Sequence, residues 1–104
     1  MPFHLYCAYV EDGYEVNHYF IADSTTTHAR LQLEAEIVVS HEEVPTEFSD
    51  LGPVTQDMLD LVHERIETGP FRLTATGQIE SKFSGVWQPV SDLDFSSYYR
   101  NAHS

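Results

Sequence analysis

The chain has 104 residues, a size at which one hydrophobic core is the rule, so a single domain covering 1–104 is expected. Its 41% apolar content, with six Phe, six Tyr and one Trp, is too high for a disordered chain, and the one cysteine, Cys7, excludes an intrachain disulfide and a thiolate metal cage. A net charge of -12 repels phosphate backbones and anionic lipid, which argues against direct nucleic-acid or membrane binding.

No apolar run reaches the roughly 20 residues that cross a bilayer. The N-terminus MPFHLYCAYVEDGYE has neither the basic flank nor the small-residue cleavage site of a secretory leader. The expectation is a soluble protein of the cytoplasm.

In chain order, FHLYCAYV and YEVNHYFIA alternate on either side of Glu11-Asp12-Gly13, a hairpin signature with Gly at the turn. If Val10 pairs with Tyr14, Cys7 lies opposite Asn17 and His18 opposite Tyr6, so Cys7 and His18 point to opposite faces. Ala29, Leu31, Leu33, Ala35, Ile37 and Val39 then alternate with more polar residues, which predicts a strand. A helix capped by Ser24 is the rival, because Ala, Leu, Gln and Glu are good helix formers. Residues 40–52 have no clean period and read as a long loop or a strand edge.

Pro53 suits a first helical position, and Val54, Met58, Leu61, Val62 and Ile66 follow at helical spacing, predicting an amphipathic helix over 53–68 that Gly69-Pro70 stops. Phe71, Leu73 and Ala75 alternate next. Gly77 and Gly85 punctuate the runs QIESKF and VWQPV, a second hairpin or meander with Pro89 near an edge. Ser91 and Asp94 have capping-box spacing, and Phe95, Tyr98, Tyr99 and Ala102 predict a short C-terminal helix. These elements make an α+β domain in two layers, a mainly antiparallel sheet of four to six strands with one amphipathic helix on a face.

Charge is unevenly spread. Residues 1–33 sum to -3, residues 34–67 to -9 and residues 68–104 to zero. Asp57, Asp60, Glu64 and Glu67 form one stripe of the expected helix, with only Arg65 among them. Such a stripe is ordinarily a solvated face, but like charges at these spacings cost a few tenths of a kcal/mol per pair, so one-sidedness invites a functional reason. Glu34, Glu36, Glu42, Glu43, Glu47 and Asp50 extend the field if their segment packs beside the helix.

Recognisable chemistry is scarce. Six histidines show no metal-ligand spacing; Asp60-x-x-His63 is half of a di-metal motif whose second copy is absent, so His63 reads as solvent-exposed. His4 and His18 share a hairpin face with Tyr6 and Phe20 in this register, a cluster more typical of packing than of a ligand pocket. Cys7 sits among apolar neighbours, where a thiol is usually inert rather than nucleophilic. No catalytic, cofactor or metal residue is assigned.

The leading expectation is a non-enzymatic binding protein whose Glu34, Glu36, Glu42, Glu43, Asp57, Asp60, Glu64 and Glu67 meet a basic protein surface. One such surface is that of a protein that handles nucleic acid, which the chain would inhibit by charge mimicry. Two alternatives stand beside it: a structural subunit whose acidity serves salt tolerance or solubility, and a small enzyme or ligand-binding domain using the His and aromatic face of the first hairpin.

Overall fold

The structure, a computed structural model, describes residues 2–12, 15–41, 47–65 and 69–96. Its elements run β1 (His4–Asp12), β2 (Glu15–Asp23), α1 (Thr26–His41), β3 (Glu47–Pro53), α2 (Gln56–Arg65), β4 (Phe71–Leu73), β5 (Ile79–Phe83), β6 (Val86–Pro89) and β7 (Asp92–Asp94). Two antiparallel sheets result, one of four strands in the order β3-β1-β2-β7 and one of three in the order β4-β5-β6. The chain is therefore α+β, and among the described residues no helix is long and apolar enough to cross a membrane.

The first hairpin forms, in a different register. Tyr6 pairs with Ile21, Cys7 with Phe20 and Tyr9 with His18, out to Asp12 opposite Glu15. The connection is thus two residues, 13 and 14, rather than three, which lets nine residue pairs form. A shift of three, being odd, turns every β2 side chain to the other face. Cys7, Tyr9, His18 and Phe20 consequently share one face, while His4 and Tyr6 lie on the other. Both the separation of Cys7 from His18 and the grouping of His4 with His18 are overturned.

The four-stranded sheet buries side chains on both faces. Leu5 and Ala22 join Phe3, Val54, Leu59, Val62, Phe71, Ile79 and Phe95 in one cluster, which unites α2 and the small sheet with the first face. Tyr6, Ala8, Val10 and Ile21 join Ala29, Leu33 and Ile37 on the opposite face, under α1.

The strand expected over 29–39 is corrected to a helix. Two residues of α-helix turn through about 200°, so an alternating apolar pattern splits into two stripes. Ala29, Leu33 and Ile37, four apart, are fully buried, whereas Leu31 is 59% and Val39 83% exposed. The cap is Thr25, not Ser24: its hydroxyl accepts the His28 N–H at 3.3 Å and its carbonyl the Ala29 N–H at 3.1 Å.

Helix α2 begins later than expected. Pro53 closes β3 opposite His4, and the Val54 N–H donates to the Phe3 carbonyl at 3.0 Å, which keeps this segment extended. Thr55 then caps the helix through the Met58 N–H at 3.3 Å. Leu59 and Val62 fill the core, while Leu61, expected there, is exposed. Gln56 pins α2 to the free edge of β4, its side-chain amide accepting the Leu73 N–H at 2.7 Å and donating to the Phe71 carbonyl at 3.1 Å.

The region expected as loop or strand edge supplies β3, an edge strand. The meander after Gly69 forms as β4-β5-β6 with Pro89 on edge strand β6, the turn between β5 and β6 using positive φ at Ser84 and Gly85. The capping box gives way to β7: Asp94 accepts the Ser96 N–H at 2.8 Å, and Phe95 and Ser96 fasten to the Phe20 backbone. The expected C-terminal helix lies outside the described residues.

Candidate functional site

Strand β7 adds to β2 with Ile21 opposite Asp94, Ala22 opposite Leu93 and Asp23 opposite Asp92. Alternation sends Leu93 inward to the first core cluster and turns Asp92 and Asp94 to the face that carries α1. Helix α1 covers β1 and β2 on that face and leaves β7 beside it.

The result is an open cleft of about 430 Å³ with Asp92 and Asp94 along one wall, Gln32, Ala35, Glu36 and Val39 along the other, and Ile21 at the floor. Those helical positions are spaced i, i+3, i+4 and i+7, one stripe of α1. The exposed half of the alternating pattern thus has a place: Ala35 and Val39 are a cleft wall. Among the described residues, every charged side chain lining the cleft is acidic.

At one end of the cleft stands a second group of side chains. Asp23, 1% exposed, accepts the Thr25 N–H at 3.2 Å and a hydrogen bond from His28 Nδ1. Asp92 faces Asp23 across the strand pair. Donor atoms of Asp23, His28 and Asp92 lie within 4.8 Å of one another. The hydrogen bond that His28 Nδ1 donates to Asp23 is the chief reason that the His28 imidazole is pushed above its ordinary pKa, with the charges of Asp23 and Asp92 adding to it against partial desolvation.

Of the residues expected to bind a partner, Glu36 lines the cleft and Glu34 lies on α1 near it in sequence. Asp57, Asp60 and Glu64 are exposed on α2, across the four-stranded sheet. The two sets therefore belong to opposite faces, and Asp60 accepts a hydrogen bond from Gln56 at 2.9 Å. Glu42, Glu43 and Glu67 lie outside the described residues. Asp50, on β3, is held below its usual carboxylate range by the Gly52 N–H, with His4 assisting.

The hairpin offers two aromatic clusters rather than one face. His4 stacks on Tyr6 at 6.2 Å, and Tyr6 on Phe48 at 5.6 Å. On the other face His18 lies 5.6 Å from the Tyr9 ring and 6.2 Å from Phe20. Cys7 shares that second face, but desolvation and then Glu47 push its thiol pKa up, which leaves little thiolate for nucleophilic work.

Sequence reasoning missed Asp23, His28, Asp92 and Asp94. The available signal was the polar run Asp23-Ser24-Thr25-Thr26-Thr27, which is helix-capping chemistry ahead of an i, i+4 apolar stripe. Comparison of the chain with protein-family models, with curated proteins and with solved structures found no match.

Proposed function

We propose that the chain is a non-enzymatic acidic binding protein that takes a basic surface of a partner protein, and that the cleft between α1 and β7 receives a lysine or arginine side chain from it. One observation carries this reading: the cleft combines an apolar floor and wall, Ile21, Ala35 and Val39, with Glu36, Asp92 and Asp94, and among the described residues none that lines it is basic. Lysine and arginine carry apolar stems under charged heads, so a cleft of this composition matches both parts of such a side chain. The guanidinium of arginine adds bidentate pairing with a carboxylate.

The net charge of -12 supports the same reading from a distance, since a negative field speeds encounter with a basic partner. Asp57, Asp60 and Glu64 contribute to that field from the far face. A surface that handles nucleic acid is one such partner, and occupying it would make the chain an inhibitor.

The test uses a fluorescent peptide in which arginines alternate with leucines, with anisotropy read across a KCl series. The expected result is salt-sensitive binding that the double change Glu36→Gln with Asp94→Asn weakens by about tenfold, on the scale of a lost charge pair. The triple change Asp57→Asn, Asp60→Asn, Glu64→Gln should weaken it less and lose its effect at high salt. Equal losses from the two variants would mean that bulk charge, not the cleft, does the binding.

A further inference from the structure

We propose that Asp23, His28 and Asp92 form a binding site for a single divalent transition-metal ion of the zinc class. The three come from the end of β2, the first turn of α1 and the start of β7, and a donor atom of each lies within 4.8 Å of the others. Ligands bind zinc at about 2.0–2.2 Å, which sets neighbouring donors roughly 3.4 Å apart in a tetrahedron. Closing the remaining distance takes a shift of about 1.4 Å at most, within reach of the His28 and Asp92 side chains, which are partly exposed.

Electrostatics calls for a cation here. Asp23 and Asp92 are directly opposite on neighbouring strands, an arrangement in which like charges destabilise a sheet. Asp23 is moreover 1% exposed, and a buried carboxylate needs a compensating charge. Among the described residues no lysine or arginine pairs with either aspartate; Asp23 is paired with His28 alone. The His28 imidazole meets part of that need when protonated; a divalent ion that takes the place of its proton balances both carboxylates at once.

The donor set selects the class of ion. Calcium and magnesium are bound through oxygen alone, whereas an imidazole beside two carboxylates suits zinc, and also manganese or cobalt. The Thr25 N–H holds the Asp23 carboxylate in place at 3.2 Å, the orienting contact that metal ligands usually have. Asp92 also lines the cleft, which gives water access to the group from that side.

This site goes beyond the cleft reading and is tested without any partner. The full chain is stripped with EDTA and titrated with ZnCl2 by calorimetry, and retained zinc is measured by elemental analysis after dialysis. The expected result is one zinc ion per chain, with affinity falling by at least about tenfold in Asp92→Asn and in His28→Gln. His63→Gln, on α2 across the four-stranded sheet from the three ligands, should bind zinc as the parent does.

Circular dichroism on each variant separates ligand loss from unfolding, and Asp23→Asn is not needed. Absence of stoichiometric zinc in the parent, or binding that survives both Asp92→Asn and His28→Gln, overturns the proposal. Either result leaves the cleft reading standing, because Asp94→Asn with Glu36→Gln tests that reading separately.

Discussion

Replacing Leu33 and Leu31, one at a time, by alanine discriminates between the helix and the strand over residues 29–39. Leu33 is fully buried between α1 and the sheet, and Leu31, two residues earlier, is 59% exposed. Truncating a fully buried leucine removes its transfer free energy and leaves a cavity, together about 2–5 kcal/mol. For a domain of this size each kcal/mol moves the melting temperature by about 4–8 °C, so Leu33→Ala should melt at least about 8 °C lower. Leu31→Ala loses little packing and gains some helix propensity, so its effect should stay within about 0.5 kcal/mol. On a strand the two side chains would share a face and suffer together. Urea unfolding followed by circular dichroism reads both. Losses equal within about 0.5 kcal/mol would refute the helical placement, and with it the wall of the cleft.

Two further outcomes follow from the backbone and from Asp50. Gly77 has φ +83°, and a Cβ there would meet Pro2 Cβ at 2.5 Å and Pro2 Cα at 2.9 Å, while Gly85, at φ +80°, has open space. Gly85→Ala should therefore cost about 1–2 kcal/mol of left-handed strain alone, and Gly77→Ala clearly more in the same urea experiment. Asp50 has a lowered folded pKa, chiefly because it accepts the Gly52 N–H. Its contribution is present above the ordinary value of 3.8 and is lost as pH falls through the lower folded value. Stability measured from pH 5 downward should fall less steeply in Asp50→Asn, and an unchanged slope would remove Asp50 from the acid response.

How far the sequence was legible depends on whether a signal was local. The hairpin, α2 and the meander announce themselves through periodicity and Gly punctuation, and all three form. The register of the hairpin does not, because Glu11-Asp12-Gly13 and Gly13-Tyr14 are both plausible connections and they differ by an odd shift. Helix α1 was misread for a specific reason: a period of two is also two interleaved periods of four. The residues 29, 33, 37 and 31, 35, 39 satisfy strand and helix alike until the second stripe is given something to face. For Ala35 and Val39 that something is β7 across the cleft, three residues whose pairing with β2 spans some 70 positions of chain. The Asp23, His28 and Asp92 group depends on the same long-range pairing, so no ligand spacing in the sequence could have shown it.

The position of the charge, rather than its amount, decides between steering and holding. Carboxylates on the exposed face of α2 sit in water, where salt screens their field beyond about 8–10 Å. Under the proposed reading their effect belongs to the encounter with a partner. In the cleft, Glu36 and Asp94 stand beside Ile21, Ala35 and Val39, so a bound cationic side chain would displace water from both the apolar wall and the charged groups. Pairs formed in such a setting are screened less and stay bound longer. The pairing of β7 with β2 places both aspartates of this strand on the α1 side, so a short edge strand turns a general acidity into a localised one.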